Sequence, residues 1–434
     1  MYYVLNLVYL FVAVLISPWL LYKAITTGKY RQGMWQKLSG ASPIRQGDAP
    51  CVWFHGVSVG EMHMLRRVVR AFRKRHPHCE IVVSSTTNTG IEEARKQFPD
   101  LTVFYWPLDF TWSVSRTLQR LRPNLVVLAE SELWPDFLRL AKKAAVKVSV
   151  INGRMSPRSA RRFRKFRWLT KPLFAGVDLW LMQTEDYADG VRQNGINKDK
   201  VHVTGNIKYD GVEINRRNSR SNAFRLLFSI HQDDVVWVAG STQAPEEEIT
   251  VRIFEQLRPQ FPNLRLILIP RQKERFIEVA QLLKRMNVAF ERRSDLRDVV
   301  TDRSQVILVD TIGELADVWG LADIAFVGGS LDGRRGGQNM IEPAAYGSAV
   351  LFGPHVWNFR QTVDQLLELN AAIQITDADA LEQQVIRLLN DAEERQALGN
   401  RAKAFVTTQQ GATVRTIDWL TDLLSTTKPI SKVA

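Results

Sequence analysis

Cysteine is scarce in this 434-residue chain, with Cys51 and Cys79 its only two. They form no CxxC and are read as belonging to no Cys/His cluster, so neither a disulfide framework nor a zinc site is expected. No metal ligand is assigned. There is no GxxxxGK[ST] and no clean GxGxxG, which leaves ATP hydrolysis and dinucleotide binding weakly supported. No internal repeat or low-complexity tract stands out. Acidic residues are in deficit: 45 Asp and Glu face 58 Lys and Arg, a net charge of +13. That excess favours an anionic partner, whether nucleic acid, an anionic membrane surface or a phosphorylated substrate. Composition gives no sign of wholesale disorder, at 45% hydrophobic and 24% charged.

The longest stretch without charge opens the chain. Tyr2 to Tyr22 holds no charged residue, and Asn6 and Pro18 interrupt it only mildly. About 20 apolar residues cross a bilayer core, and MYYVLNL offers no positive region for a cleavable signal. Residues 1–22 are therefore expected to form an uncleaved transmembrane helix. Lys23, Lys29, Arg31 and Lys37 follow it and place the rest of the chain in the cytoplasm. A long buried helix, apolar on all sides, is the alternative.

Behind the anchor, residues 23–49 read as a membrane-proximal connection. Apolar runs then alternate with helical patterns: Cys51–Phe54, Ile81–Ser84, Thr102–Trp106, Leu125–Leu128, Lys147–Ile151, Leu179–Met182 and Val201–Thr204. That rhythm predicts a parallel sheet with helices on both faces. The chain turns polar and irregular from Asn206 to Asn222, and residues 211–222 are assigned as a linker between a first domain, 50–210, and a second, 223–410. The second series is Val235–Ala239, Leu264–Ile269, Val306–Val309, Ile324–Val327, Ala349–Phe352 and Ala372–Ile375. Residues 411–434 complete the chain as a helix and tail. The expected architecture is α/β: two doubly wound parallel-sheet domains facing across a cleft, plus the N-terminal transmembrane helix.

Chemistry-bearing residues gather where strands end. HGVSVGE, His55 to Glu61, runs from a strand through glycines into a helix, and Ser58-x-x-Glu61 matches a capping box. A general base held at a helix N-terminus would have the same spacing, because the dipole there favours a carboxylate. Both readings stay open. LAESELWP puts Glu130 and Glu132 at another strand end, where charge is costly unless it lines a cleft. VTGNIKYD sets Lys208 just past a strand. In the second half, VAGSTQAPEEE, ILIPRQKERF and VDTIGEL each follow a strand. FVGGSLDGRRGGQNMIEP adds a glycine-rich loop before a helix, a suitable place for phosphate.

Two basic patches lie in the first half. Arg66, Arg67, Arg70, Arg73, Lys74 and Arg75 ride on the helix that Glu61 begins. Arg154, Arg158, Arg161, Arg162, Arg164, Lys165, Arg167 and Lys171 are interleaved with Phe163, Phe166 and Trp168. Such mixtures suit the headgroup layer of an anionic membrane. No RNA- or DNA-binding motif accompanies the charge, so nucleic acid is not expected as a partner.

Together HGVSVGE, LAESELWP, INGRMS, GNIKYD, GSTQAPEEE, PRQKERF, GGSLDGRRGGQNMIEP and FGPHVWNF closely resemble the 3-deoxy-D-manno-octulosonic acid (Kdo) transferases of lipopolysaccharide synthesis. The resemblance implies an inverting, metal-independent glycosyltransferase of GT-B type with no cofactor, using CMP-Kdo as donor and the lipid A precursor lipid IVA as acceptor. It implies a single-pass protein of the bacterial inner membrane, with the catalytic domains on the cytoplasmic side and against the anionic membrane surface. It makes Glu61 the general base and gives Glu130 and Lys208 supporting roles. It assigns CMP binding to Pro270, Arg271, Ile312, Gly313, Glu314, Asn339, Met340, Ile341 and Glu342. Gln243 and Gln338 stand where many relatives carry His. The rival readings are a membrane-associated GT-B enzyme with another nucleotide sugar and a membrane-tethered nucleic-acid-binding protein.

Overall fold

The computed structural model describes residues 2–27, 32–130, 132–303 and 305–427. Lys29 and Arg31 of the expected basic flank, and the end of the expected C-terminal tail, lie outside them. The chain forms two compact units. Residues up to Asp210 together with those from Gln410 onward make the first, and Gly211–Gln409 the second.

The first unit is built on seven strands: β1 (Cys51–His55), β2 (Glu80–Ser85), β3 (Thr102–Tyr105), β4 (Leu125–Ala129), β5 (Lys147–Gly153), β6 (Leu179–Met182) and β7 (Val201–Val203). They lie side by side in the order β3-β2-β1-β4-β5-β6-β7, and every neighbouring pair is parallel. The central strands read as unbroken apolar runs because helices cover both faces. All five residues of β1 are buried, as are all five of β4. Side chains alternate between faces. Cys51 and Trp53 enter one core with Phe137, Val148 and Trp180, while Val52 and Phe54 enter another with Leu65, Val127 and Ile151. The strand order reverses between β1 and β4. Such a reversal is where open α/β sheets place their ligands, outside the carboxyl ends of the strands.

The second unit repeats the plan with β8 (Val235–Thr242), β9 (Leu264–Pro270), β10 (Phe290–Arg292), β11 (Val306–Leu308), β12 (Ile324–Val327), β13 (Ala349–Phe352) and β14 (Ile373–Gln374). Its order is β10-β11-β9-β8-β12-β13-β14, again all parallel, with the reversal between β8 and β12. Strand β10 was not expected from the sequence. Its residues Phe290, Glu291 and Arg292 are only half-buried, at the sheet edge, so they carry no apolar run.

The last helix, Ala412–Ser425, belongs to the first unit. Its Ile417, Leu420 and Leu424 share a core with Val52, Phe54 and Phe72.

The expectation of a transmembrane anchor is corrected. The chain does begin with a helix, Tyr2–Thr27, with Pro18 inside it. Among the described residues, however, no helix is long and apolar enough to cross a membrane. The helix spends its polar groups on the first unit instead. Asn6 is buried, donating to Thr111 Oγ1 at 2.8 Å and accepting the Thr111 N–H at 3.1 Å. The Tyr9 hydroxyl donates to Asp109 Oδ2 at 3.0 Å, and its ring meets Phe110 edge-on at 5.9 Å. Burial is the first cause that lifts the Asp109 carboxyl to about 6.

Candidate functional site

His55 ends β1 fully buried, its ring stacked 4.0 Å from Trp106 and its Nδ1 2.9 Å from Ser84 Oγ. Burial pushes its imidazole down to about 3, so it is a neutral packing residue. Gly56 follows because a Cβ there would stand 2.9 Å from Met62 Cε and 3.0 Å from Leu65 Cδ1. Its absence lets the next helix close on the strand. The Val57 carbonyl accepts from Ser85 Oγ at 3.1 Å and Thr87 Oγ1 at 2.7 Å, which ties the turn to the end of β2.

The helix Val59–Arg75 then starts with the expected cap. Ser58 accepts the Glu61 N–H at 3.3 Å, and its hydroxyl donates to Glu61 Oε1 at 2.9 Å. Glu61 Oε2 accepts the Val57 N–H at 2.8 Å. A carboxylate has about four lone-pair sites. These two bonds use one on each oxygen and leave one on each. The cap is formed, and it does not exhaust Glu61.

Across the reversal, β4 delivers Glu130 in a left-handed conformation with φ 58°, its N–H bonded to the Ile151 carbonyl at 2.9 Å. A side-chain-bearing residue there is strained by about 1–3 kcal/mol. Burial first, then the charge of Glu61, raises the Glu130 carboxyl above the usual range, while Arg154 and Lys208 oppose the rise. Glu132 is raised by the same two leading causes. Glu61, Glu130, Glu132, Arg154 and Lys208 thus act in one local field at the first reversal. Arg154 was read from the sequence only as part of a basic patch.

Lys208 is exposed on the short turn Ile207–Tyr209. Buried Asn152 accepts the Ile207 N–H at 3.1 Å, and Asn206 accepts the Lys208 N–H at 3.0 Å. Arg67, on the helix that Glu61 begins, donates to the Ile207 and Lys208 carbonyls at 3.3 Å each. One helix therefore carries Glu61 and braces Lys208. The patch around Arg67 is not a bare charged face, since Arg73 pairs with Asp100 and Arg75 with Asp418 at 3.4 Å.

In the second unit the expected donor residues all lie past the carboxyl ends of strands. Pro270 ends β9, and the N–H of exposed Arg271 reaches the Thr242 carbonyl at 3.1 Å. After β11, Glu314 accepts from Arg293 at 2.9 Å and from the Thr311 hydroxyl. Between them Ile312 is 75% exposed, and Gly313 has φ 91° with open space where a Cβ would stand. After β12, Asn339 donates to Glu342 Oε1 at 2.9 Å and accepts the Ile341 N–H at 3.1 Å. Met340 and Ile341 are buried, so their side chains serve packing and only their backbone is left to a ligand.

Sequence reading missed Glu246, which it took as one of three acids opening a helix. The carboxylate is buried and accepts four backbone N–H groups: Gln243 at 2.9 Å, Gly329 at 2.7 Å, Ser330 at 2.9 Å and Leu331 at 3.0 Å. It stitches the loop after β8 to the glycine loop after β12, across the second reversal. The only local signal was a glutamate three residues after Gln243.

Residues 30–211 match the family model described as 3-deoxy-D-manno-octulosonic-acid transferase (kdotransferase). The 3-deoxy-D-manno-octulosonic acid transferase of Haemophilus influenzae is 34% identical over 405 residues, covering 92% of this chain and 92% of its own. The chain belongs to the Kdo transferase family. The Chlamydophila psittaci transferase is 32% identical, covering 92% of this Kdo transferase family chain and 91% of its own. A UDP-GlcNAc 2-epimerase from Neisseria meningitidis, solved bound to UDP-GlcNAc, superposes with a TM-score of 0.56 over 86% of this chain and 100% of its own. At 14% identity that likeness is one of fold. It agrees with two parallel-sheet α/β units of the kind found in GT-B glycosyltransferases.

Proposed function

We propose that this Kdo transferase family member moves Kdo from CMP-Kdo to the phosphorylated lipid A precursor lipid IVA, inverting the anomeric carbon, in lipopolysaccharide core synthesis. The observation that carries the reading is the carboxylate group at the first reversal, with Glu61 capping a helix yet keeping a lone pair on each oxygen. The acceptor hydroxyl gives its proton to Glu61. Its oxygen bonds to the anomeric carbon as the carbon–oxygen bond to the CMP phosphate breaks, and the phosphate leaves with the electron pair. A single inverting displacement needs one base on the acceptor side. Glu130 and Lys208 support the charge that develops in the transition state.

In this reading CMP-Kdo is held by Pro270, Arg271, the Ile312-Gly313-Glu314 turn and the Asn339–Glu342 segment. Helix N-termini and loop N–H groups suit the phosphate. No metal or cofactor is assigned a step. Phe166 and Trp168, 47% and 77% exposed among the arginines of the first unit, suit the headgroups of an anionic membrane without spanning it. The location implied is the cytoplasmic face of the bacterial inner membrane.

The deciding experiment incubates the protein with CMP-Kdo and tetraacylated lipid A precursor and follows products by mass spectrometry. A lipid heavier by one or more Kdo units, with CMP released, is expected. If no Kdo-bearing lipid forms while a UDP-sugar is consumed, the donor assignment is wrong.

A further inference from the structure

At the opposite end of the first unit's strands, where the chain enters the amino end of β2, about 22 Å along the helix from Glu61, the chain makes a tight turn, His76-Pro77-His78-Cys79. The Cys79 N–H bonds the His76 carbonyl at 3.1 Å, and Pro77 at the second position presets the turn. The turn folds three soft-to-borderline donors together. One ligand nitrogen from each histidine and the Cys79 sulfur all lie within 4.8 Å of one another, the one such His, Cys and acid cluster among the described residues. His76 is held in place: its ring lies 4.6 Å from Phe72, and Nε2 sits 2.8 Å from Thr421 Oγ1. A hydrogen bond of that kind orients a metal-binding imidazole through its second nitrogen. His78 is exposed, with its ring edge-on to that of His76 at 5.8 Å. Both histidines line a cavity of about 570 Å³ with Thr421, Asp48, Arg45 and Arg122, which leaves room for a water molecule as fourth ligand; Asp48 is held by Arg122 at 3.4 Å.

We propose that His76, His78 and Cys79 form a site for a divalent metal of zinc type, closed by a water molecule. Imidazole nitrogen and thiolate sulfur are ligand types that zinc takes in tetrahedral sites. Bonds of about 2.0–2.3 Å set the donors roughly 3.5 Å apart, so the cluster contracts by about 1 Å as His78 swings in. Thr421 lies on the last helix, so the metal would fasten that helix to the HPHC turn and brace the first unit at the strand ends away from the carboxylates. The sequence reading excluded zinc because it looked for CxxC spacing, and His-x-His-Cys escaped it.

The test titrates cobalt(II) into the chelator-treated full-length protein. A tetrahedral visible spectrum with a thiolate-to-cobalt charge-transfer band is expected, displaced by zinc. Cys79→Ser should abolish the charge-transfer band, and His78→Ala should weaken cobalt binding at least about tenfold. His78 is exposed, so that variant folds. Zinc at roughly hundredfold excess over its Kd should raise the Tm of the wild type by several degrees and leave that of His78→Ala unchanged. A spectrum with no thiolate band, or a His78→Ala protein that binds cobalt and gains Tm as the wild type does, overturns the site.

Discussion

The two units reverse their strand order in the same way and put carboxylates at the reversal to different uses. In the first unit, Glu61, Glu130 and Glu132 crowd together half-exposed; burial and the charge of Glu61 raise the proton affinity of Glu130 and Glu132, with Arg154 and Lys208 as partial counterweights at Glu130. In the second, Glu246 is buried and its oxygens are filled by four N–H groups. One carboxylate there organises backbone, while the others are left with capacity for something outside the protein. The fold supplies the location, and lone-pair accounting tells the reacting site from the scaffolding.

The largest expected effect breaks the contrast at Glu61. Glu61→Gln keeps a carbonyl oxygen for Ser58 or Val57, so the helix cap and the Tm survive while transfer falls about 10²–10⁴-fold. A variant with nearly normal kcat would leave Glu61 a cap and nothing more. Next is Glu246→Ala, which orphans buried N–H donors in two loops. Urea unfolding should show a loss of about 3 kcal/mol or more, and donor binding should weaken. A stability near wild type would mean the four bonds do not organise the loops.

A third prediction concerns close approach. A Cβ at Gly328 would stand 2.6 Å from Thr242 Cα and 2.8 Å from the Ser241 carbonyl, whereas Gly60 has nothing nearer than 3.9 Å. Gly328→Ala should cost about 1–3 kcal/mol and Gly60→Ala almost nothing, both read by thermal unfolding.

The smallest effect is in pH dependence. Glu130 and Glu132 titrate above the unfolded glutamate value of about 4.3 because burial and Glu61 raise them. A raised carboxyl lends its stability below the unfolded value and loses it as pH rises through the folded one. Glu130→Gln should therefore raise the Tm by roughly 1–2 °C at neutral pH and narrow that gap at pH 4. Carboxyl NMR of Glu61→Gln should find both pKa values lowered.

Much of the fold was legible because parallel strands covered on both faces must be apolar throughout, and Val52-Trp53-Phe54 or Leu125–Leu128 have no other comfortable place. Two of the misses share a cause: each depends on a partner far away in sequence. The opening helix looks like an anchor until Asn6 meets Thr111 and Tyr9 meets Asp109, about a hundred residues on. Glu246 looks like helix decoration until Gly329, Ser330 and Leu331 close on it. Glu61 was legible as a site because cap and carboxylate are both local, yet its free lone pairs required the partners to be seen.

The last helix closes the first unit's core with residues made only after the whole second unit. Asp210 receives the returning chain, accepting the N–H of Gly411 at 2.7 Å and that of Thr413. Seen from the ribosome, the unit begun first is finished last. Val52, Phe54 and Phe72 await Ile417, Leu420 and Leu424 while the rest of the first unit and the whole second unit, Gly211–Gln409, emerge, some tens of seconds at about 5–20 residues per second. The second unit is continuous and has no such wait. A nascent chain stalled before residue 410 should carry a folded C-terminal half and an N-terminal half still open to proteases and chaperones.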